Sequence, residues 1–289
     1  MKSLDKTIYT AYNYLSSELK DLYPSEEVRA LVSIILSHVT GMSRVDQLSN
    51  LKNPVSSEQW DKINKICVEL KQFKPIQYIL GQTEFYGLVF KVNKHTLIPR
   101  QETEELVELI IKENKKTSLR IIDIGTGCGC IAITLAFHLN NPRVLALDKS
   151  KEALKLTEEN SNLNKVQVEL IHEDIFNDIA DRFSEFDLII SNPPYVLENE
   201  QKNMSPLVID NEPYEALFVP DDNPLKYYRA ILIFAEQSLK KDGRVYFEIN
   251  EAKGPEMKDL LSDFGYRDIR LIKDINGKDR IISGINYGK

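Results

Sequence analysis

The sequence predicts an α/β protein whose mostly parallel β-sheet ends in an antiparallel hairpin and follows a small helical domain. Residues 120–136 run from an apolar strand through a glycine-rich turn into a helical pattern, the usual start of a nucleotide-binding α/β unit. Near the chain end, residues 266–272 and 279–285 alternate as strands and are joined through Asn276-Gly277, a strong hairpin signal. The first 74 residues carry apolar side chains at helical spacing instead.

The helical domain is predicted over residues 1–74 and is interpreted as core packing of apolar stripes. Ser25 is predicted to cap a helix, and the stripe of that helix consists of Val28, Leu31, Val32, Ile35 and Leu36. Ser56 and Gln59 have the spacing of a capping box, which predicts the start of another helix. Its inward-facing residues are predicted to be Trp60, Ile63, Ile66, Cys67 and Leu70.

A connector is predicted over residues 75–103, with a β-hairpin around Gly87. From residue 104 to residue 289 strands alternate with helices, which predicts a second domain built on a parallel sheet. With 289 residues, the chain is long enough for two domains.

The glycine-rich turn of this second domain predicts a site for a nucleoside cofactor. Residues 125–129 have the spacing G-x-G-x-G, which differs from the G-x-G-x-x-G that suits a dinucleotide pyrophosphate. The next predicted strand, residues 143–147, leads into Asp148, whose carboxylate is placed to accept hydrogen bonds from ribose hydroxyls. A parallel sheet with a final antiparallel hairpin resembles the S-adenosylmethionine-dependent methyltransferase fold more than the dehydrogenase fold.

The tetrapeptide Asn192-Pro193-Pro194-Tyr195 follows a predicted strand at residues 187–191 and suits the binding of a planar NH2 group. The Asn192 carboxamide oxygen and the Pro193 carbonyl can each accept one N–H. The prolines bring no competing amide donor and stiffen the turn. Tyr195 offers a flat face to an amide or a base. An ordinary turn is the alternative, because Asn-Pro and Pro-Pro are common in loops.

Composition limits the function classes. The chain has 37 Lys and Arg against 44 Asp and Glu, a net charge of −7, and no basic cluster, so a nucleic-acid substrate is not expected, although patches could form in three dimensions. No apolar run approaches the roughly 20 residues that span a membrane, and the N-terminus lacks a signal-peptide pattern, which predicts a cytoplasmic protein. The three cysteines are too sparse to predict a metal site.

Together these motifs resemble the PrmC/HemK family, methyltransferases that modify a glutamine side-chain amide in peptide chain release factors. The resemblance spans nearly the whole chain. It is carried by Leu97-Ile98-Pro99-Arg100 with Thr103-Glu104, Asp123 to Gly127, Ser191 to Tyr195, and Asn211-Glu212-Pro213 with Ala216-Leu217. Two positions differ: Gln101 stands where many members have proline, and Ile175 where some carry an aromatic residue.

The resemblance implies S-adenosylmethionine as the cofactor and assigns roles to several residues. The loop around the methionine part would consist of Gly125, Thr126, Gly127, Cys128 and Gly129, with Asp148 on the ribose. Asp174 and Ile175 would contact the adenine, unless Asp174 is simply a solvated loop carboxylate. Arg100 and Thr103 would close over the cofactor, although Arg100 could instead pair with a nearby glutamate. The acceptor amide and the reaction would be served by Asn192, Pro193, Pro194 and Tyr195, with Asn192 also beside the cofactor.

Three functions are compatible with these residues. The first is a protein glutamine methyltransferase acting on the Gly-Gly-Gln motif of release factors, with the helical domain recognising that protein substrate. The second is an exocyclic-amine methyltransferase acting on RNA or DNA bases, because such enzymes share the Asn-Pro-Pro-Tyr motif. The third is a non-catalytic binding module that keeps the fold.

Overall fold

The computed structural model describes residues 6–288, which divide into two compact units. The first unit comprises the described residues up to Gly81 together with the segment Pro206–Asn211. The second unit comprises Gln82–Ser205 and the chain from Glu212 onward. Among residues 6–288, no helix is both long and apolar enough to cross a membrane.

The first unit is helical. With helices numbered in chain order, it contains α1 (Ile8–Leu19), α2 (Ser25–Thr40), α3 (Arg44–Ser49), α4 (Ser57–Leu70), α5 (Ile76–Leu80) and, from the later segment, α9 (Pro206–Ile209). The predicted stripe of α2 is confirmed, since all five of its residues are buried. On α4, Ile63, Ile66, Cys67 and Leu70 are buried, and Trp60 is partly buried against the same core.

Two local details of this unit bear on the sequence predictions. The capping box of α4 is confirmed. The backbone N–H of Gln59 donates to Ser56 Oγ at 3.1 Å, and the backbone N–H of Ser56 donates to Gln59 Oε1 at 2.9 Å. The cap predicted at Ser25 is wrong, because α2 begins at Ser25 itself and Pro24 occupies the cap position without a side-chain bond. The compact unit includes α5 and extends to Gly81, and Ile76 of α5 is buried in the helical core.

The second unit contains the remaining elements. Its helices are α6 (Gln101–Glu113), α7 (Cys130–His138), α8 (Lys151–Leu163), α10 (Tyr214–Leu217), α11 (Lys226–Ser238) and α12 (Gly254–Asp263). Its strands are β1 (Gln82–Phe85), β2 (Leu88–Lys91), β3 (Arg120–Ile124), β4 (Arg143–Asp148), β5 (Glu169–His172), β6 (Phe186–Ser191), β7 (Val196–Leu197), β8 (Phe218–Val219), β9 (Leu239–Glu248), β10 (Tyr266–Lys273) and β11 (Asp279–Asn286). Short 3-10 helices cover Ala180–Arg182, Glu198–Asn203 and Glu251–Lys253.

Seven of these strands form one sheet in the order β10-β11-β9-β6-β3-β4-β5. Strand β3 pairs in parallel with both β4 and β6, and β9 continues the parallel part beside β6. Strand β11 runs antiparallel to both β9 and β10, so the predicted final hairpin is confirmed. Because the chain leaves β3 toward β4 on one side and later returns to β6 on the other, the sheet has a topological switch point between β3 and β6. Ligands of open α/β sheets bind at the carboxyl ends of strands at such a point.

Both faces of the sheet are covered by apolar clusters, as parallel sheets require. On β3, Ile122 and Ile124 pack into one cluster while Ile121 packs into the other, which follows from the alternation of side chains along a strand. The predicted hairpin around Gly87 is confirmed as β1 and β2. Its Phe85 and Phe90 are buried in the second of these clusters, so the hairpin is part of the second unit.

Candidate active site

A pocket of about 360 Å³ lies at the switch point of the seven-stranded sheet. Its wall includes Ile124, Leu147 and Ser191, which stand at the carboxyl ends of β3, β4 and β6. Its volume falls within the range of small-molecule sites. The predicted site residues that line it are Arg100, Thr103, Gly125, Thr126, Gly127, Cys128, Asp148, Asp174, Ile175, Asn192, Pro193 and Pro194. Of the predicted site residues, all of which the structure describes, Gly129 and Tyr195 lie outside this lining.

The glycine loop offers bare backbone to the pocket at two positions. Gly125 and Gly127 have φ of +74° and +58°, and a Cβ added at either would meet no atom within 4 Å. A ligand can therefore approach the backbone closely there. Gly129 serves a different purpose: with φ of +83° it precedes α7, and a Cβ would lie 2.7 Å from Thr157 Cγ2. It allows close packing of α8 against the loop.

Asp148 ties the loop to the end of β4. Its carboxylate accepts from the Gly127 amide at 2.9 Å and from the Ser150 amide at 2.9 Å. Burial raises the pKa of Asp148, and these amide hydrogen bonds oppose that shift. An ionised carboxylate offers about four acceptor positions, so two remain for hydroxyl groups of a ligand in the pocket. The arrangement fits a ribose diol beside a backbone that has no side chains in the way.

The other predicted cofactor residues have fewer hydrogen-bonding atoms left for a ligand. The Thr126 hydroxyl donates to Asp123 Oδ2 at 2.7 Å, so it is already engaged within the protein. Asp174 Oδ1 accepts from the Phe176 amide at 3.0 Å, and Ile175 packs on the apolar cluster behind the pocket. Asp174 therefore has acceptor capacity left at the pocket wall, and Ile175 supplies an apolar surface next to it.

Arg100 and Thr103 line the pocket, but their polar groups bind other side chains. Arg100 Nη2 lies 2.5 Å from Glu212 Oε1, which settles its partner as a glutamate 112 residues away. The Glu212 side chain is 1% exposed, and its other oxygen accepts from the Ile98 amide at 3.2 Å. Thr103, which is buried, donates its hydroxyl hydrogen to Glu248 Oε2 at 2.7 Å.

The Asn-Pro-Pro-Tyr turn leaves β6 at the edge of the same pocket. Asn192 Nδ2 donates to Thr103 Oγ1 at 3.2 Å, and Pro193 is buried. The Tyr195 hydroxyl donates a hydrogen bond to Glu248 Oε1 at 2.9 Å. Burial, followed by the charge of Glu248, raises the pKa of Tyr195 well above its ordinary value, which keeps the phenol as a donor.

Glu248 and Glu212 hold side chains of the pocket wall from behind, since Glu248 accepts from Thr103 and Glu212 pairs with Arg100, and the sequence predicted no role for either. Glu248 ends β9, next to β6, and is 1% exposed. Burial raises its pKa, and the hydrogen bonds from Thr103 and Tyr195 oppose the shift. The signal in the sequence was the one that identified Asp148: a single carboxylate at the end of an apolar strand. Glu212 was marked by the Asn-Glu-Pro motif, which does not reveal its partner Arg100.

Comparison with known proteins agrees with this geometry. The family description "PrmC N-terminal domain" matches residues 10–81, and "Methyltransferase small domain" matches residues 101–211. A solved methyltransferase from Pyrococcus furiosus aligns with a TM-score of 0.52 at 18% identity, covering 81% of this chain and all of that chain. The methyltransferase domain of METTL16 aligns with a TM-score of 0.52 at 19% identity, covering 75% of this chain and 96% of that one. Fold and pocket define a class I S-adenosylmethionine-dependent methyltransferase.

Curated relatives identify the family. The release factor glutamine methyltransferase of Flavobacterium psychrophilum is 44% identical over 273 residues, covering 93% of this chain and 95% of the relative. The protein of the same name from Bacteroides thetaiotaomicron is 43% identical, covering 93% and 97%, and that from Bacillus subtilis is 35% identical, covering 97% and 98%. The chain belongs to the release factor glutamine methyltransferase family.

Proposed function

We propose that this protein transfers a methyl group from S-adenosylmethionine to the side-chain amide nitrogen of the glutamine in the Gly-Gly-Gln motif of peptide chain release factors. The observation that carries the proposal is the position of Asn192 and Pro193 on the wall of the pocket that the glycine loop also lines. Membership of the release factor glutamine methyltransferase family supports it. We place the reaction in the cytoplasm, where translation occurs.

The acceptor chemistry explains why two oxygens are needed at this turn. A carboxamide nitrogen is a weak nucleophile because its lone pair is delocalised into the carbonyl. Asn192 Oδ1 and the Pro193 carbonyl oxygen would each accept one N–H of the substrate amide, returning electron density to nitrogen and fixing its approach. Pro193 and Pro194 have no amide hydrogen, so the turn offers the substrate acceptors without a competing donor.

The cofactor would be held by residues that the fold has already brought together. Gly125 and Gly127 would admit its amino-acid part against the backbone, and Asp148 would accept from its ribose. Cys128 and Thr126 would complete the loop, and Asp174 with Ile175 would face the adenine. When bound, S-adenosylmethionine supplies an electrophilic methyl group on a sulfonium.

What remains for the protein is alignment. Displacement at a methyl carbon requires the attacking nitrogen, the carbon and the leaving sulfur nearly in line, so most of the catalytic effect is positional. Tyr195, held by Glu248, would pack beside the acceptor amide. Arg100 and Thr103 would shape the cofactor side of the pocket. The helical first unit would recognise the release factor.

The test is to incubate the protein with labelled S-adenosylmethionine and a purified release factor and to map the methylated residue by mass spectrometry. We expect one methyl group on the glutamine of Gly-Gly-Gln, and none on a release factor in which that glutamine is alanine. A parallel reaction with total RNA and with DNA tests the base-modifying alternative. Label found only in nucleic acid would contradict the proposal, and S-adenosylmethionine binding without transfer to any substrate would favour the binding module.

A further inference from the structure

Glu248 accepts hydrogen bonds from two hydroxyl groups, one on each of its carboxylate oxygens. Thr103 of α6 donates to its Oε2 at 2.7 Å, and Tyr195 of the Asn-Pro-Pro-Tyr turn donates to its Oε1 at 2.9 Å. Thr103 and Glu248 are buried, at 2% and 1% exposed, and Tyr195 is partly buried. A carboxylate without hydrogens satisfies both donors at once, because each oxygen only accepts. The donor directions around Glu248 are therefore fixed.

The hydrogen bond from Thr103 to Glu248 also decides which atom of the Asn192 carboxamide faces Thr103. A hydroxyl group has one hydrogen, and Thr103 gives its hydrogen to Glu248, so its oxygen can only accept from any further partner. The further partner is Asn192 Nδ2, which donates to Thr103 Oγ1 at 3.2 Å. The chain of hydrogen bonds therefore runs from Asn192 as donor, through Thr103, to Glu248 as the final acceptor.

The orientation of a carboxamide depends on such bonds. Its oxygen and its NH2 group are nearly the same size, so sterics alone scarcely distinguish the two orientations of the Asn192 side chain. If the amide were reversed, it would present hydrogens to the N–H groups of a substrate amide, which is a donor facing a donor. With Nδ2 bound to Thr103, Oδ1 is the atom left for the substrate.

We propose that Glu248, acting through Thr103, is a positioning residue that holds the Asn192 carboxamide with its oxygen toward the acceptor amide and holds Tyr195 beside it. The inference rests on the proposed function, because it assigns Asn192 Oδ1 to the substrate. Glu248 itself reaches the substrate only through these two side chains. The orientation of the Asn192 oxygen at the turn thus depends on a residue of the neighbouring strand β9.

The hydrogen bond between Thr103 and Glu248 can be tested with three conservative variants. Thr103→Val keeps the shape and removes the hydroxyl, whereas Thr103→Ser keeps the hydroxyl. Glu248→Gln keeps the shape but replaces one acceptor oxygen with an NH2 group, so one of the two hydroxyl donors faces a donor. Thr134→Val is the matched control: Thr134 is a fully buried helical threonine whose hydroxyl has no hydrogen-bond partner in residues 6–288.

Kinetics should separate positioning from a structural role. For Thr103→Val and Glu248→Gln we expect kcat on the release factor to fall on the order of 10- to 100-fold, with the Kd for S-adenosylmethionine little changed. Thr103→Ser should recover most of the kcat that Thr103→Val loses, and Thr134→Val, which lies outside the pocket lining, should stay close to the parent protein. The double variant Thr103→Val with Glu248→Gln should lose little more than the worse single variant, because both changes interrupt one chain of bonds.

A readout that does not depend on methyl transfer is the side-chain NH2 signal of Asn192 in protein labelled with 15N-asparagine, assigned by its disappearance in Asn192→Ala. We expect slow hydrogen exchange at this group in the parent protein, Thr103→Ser and Thr134→Val, and fast exchange in Thr103→Val and Glu248→Gln. An unchanged rate of hydrogen exchange at the Asn192 NH2 group in Thr103→Val would overturn the inference. Unchanged kcat in both Thr103→Val and Glu248→Gln would also overturn it. A parent protein that shows the expected signals but methylates no release factor would instead refute the proposed function.

Discussion

Arg100 and Glu212 form an ion pair between segments that are 112 residues apart in the chain, with Arg100 Nη2 at 2.5 Å from Glu212 Oε1. The Glu212 side chain is 1% exposed, whereas that of Arg100 is 33% exposed. The pair therefore joins the segment before α6 to the segment that carries α10 at the pocket wall. Arg100 is in this way a structural partner of a buried carboxylate as well as a residue of the pocket lining.

Arg100→Met should lower the free energy of unfolding by about 1–3 kcal/mol, because it leaves the Glu212 carboxylate buried without its charged partner. The exposed pair of Arg143 and Glu169 supplies the control, since Arg143→Met should cost about 0.5 kcal/mol or less. Denaturant titration measures both. Because the guanidinium is committed to Glu212, we expect little change in the Kd for S-adenosylmethionine. Normal stability with a greatly raised Kd would show that Arg100 acts on the cofactor alone.

Asn192→Ala should reduce single-turnover methyl transfer by about two to three orders of magnitude and leave cofactor binding largely intact, the scale of losing one preorganised polar group. The chain offers a matched control in Asn223→Ala, because Asn223 also precedes a proline but lies exposed in a loop. Rapid-quench measurement with the release factor compares the two. Equal rates in Asn192→Ala and Asn223→Ala would remove Asn192 from the mechanism.

Gly127→Ala should chiefly weaken cofactor binding, whereas Gly129→Ala should chiefly lower stability. Both positions have positive φ, so alanine costs roughly 1–2 kcal/mol of backbone strain at each. At Gly127 the new methyl group meets no protein atom within 4 Å and intrudes on the pocket, so the Kd for S-adenosylmethionine should rise sharply. At Gly129 it would lie 2.7 Å from Thr157 Cγ2 and 2.8 Å from Ile133 Cδ1, which adds overpacking of about 1–3 kcal/mol.

Calorimetric titration and thermal unfolding of both variants test this contrast. Greater loss of stability in Gly127→Ala than in Gly129→Ala would contradict it.

Asp123 should make stability depend on pH. Burial raises its pKa to about 7, against opposing hydrogen bonds from the Thr126 hydroxyl and the Ala132 amide, while Asp148 adds to the rise. Cys130 also faces this carboxyl group. A raised acid pKa means that the folded protein keeps its proton between pH 3.8 and about 7 while the unfolded chain loses it. The contribution of Asp123 to the free energy of unfolding therefore falls as the pH rises through that window, and it is constant above it.

Asp123→Asn removes this titration, so the free energy of unfolding of the variant relative to the parent should increase from pH 5 to pH 8, by up to about 3 kcal/mol. Urea unfolding at the two pH values measures the change. A relative stability that is independent of pH would show that Asp123 titrates alike in the folded and unfolded chain.

The features that the sequence predicted are those encoded by neighbouring residues. The strand before the glycine loop, the position of Asp148 and the final hairpin each follow from a short run with a strong pattern, and each is present. The helix cap at Ser25 was misplaced because Pro24, with its fixed φ, already has the geometry of a cap.

Long-range partners could not be predicted in this way. The carboxylate of Glu248 meets Thr103 across 145 residues of chain and Tyr195 across 53. No local pattern shows that α6, the Asn-Pro-Pro-Tyr turn and the end of β9 converge, because their meeting is set by the order of strands in the sheet. The same reason hides the pairing of Arg100 with Glu212, although both residues stand in recognisable motifs.

The return of Pro206–Asn211 to the helical unit makes that unit discontinuous in sequence. Leu207 packs on its apolar core, and the Asn211 side chain donates to the Phe73 carbonyl at 3.1 Å. A fragment ending at Gly81 would leave uncovered the part of that core against which Leu207 packs. A chimera that exchanges the helical unit between relatives should therefore graft both pieces together.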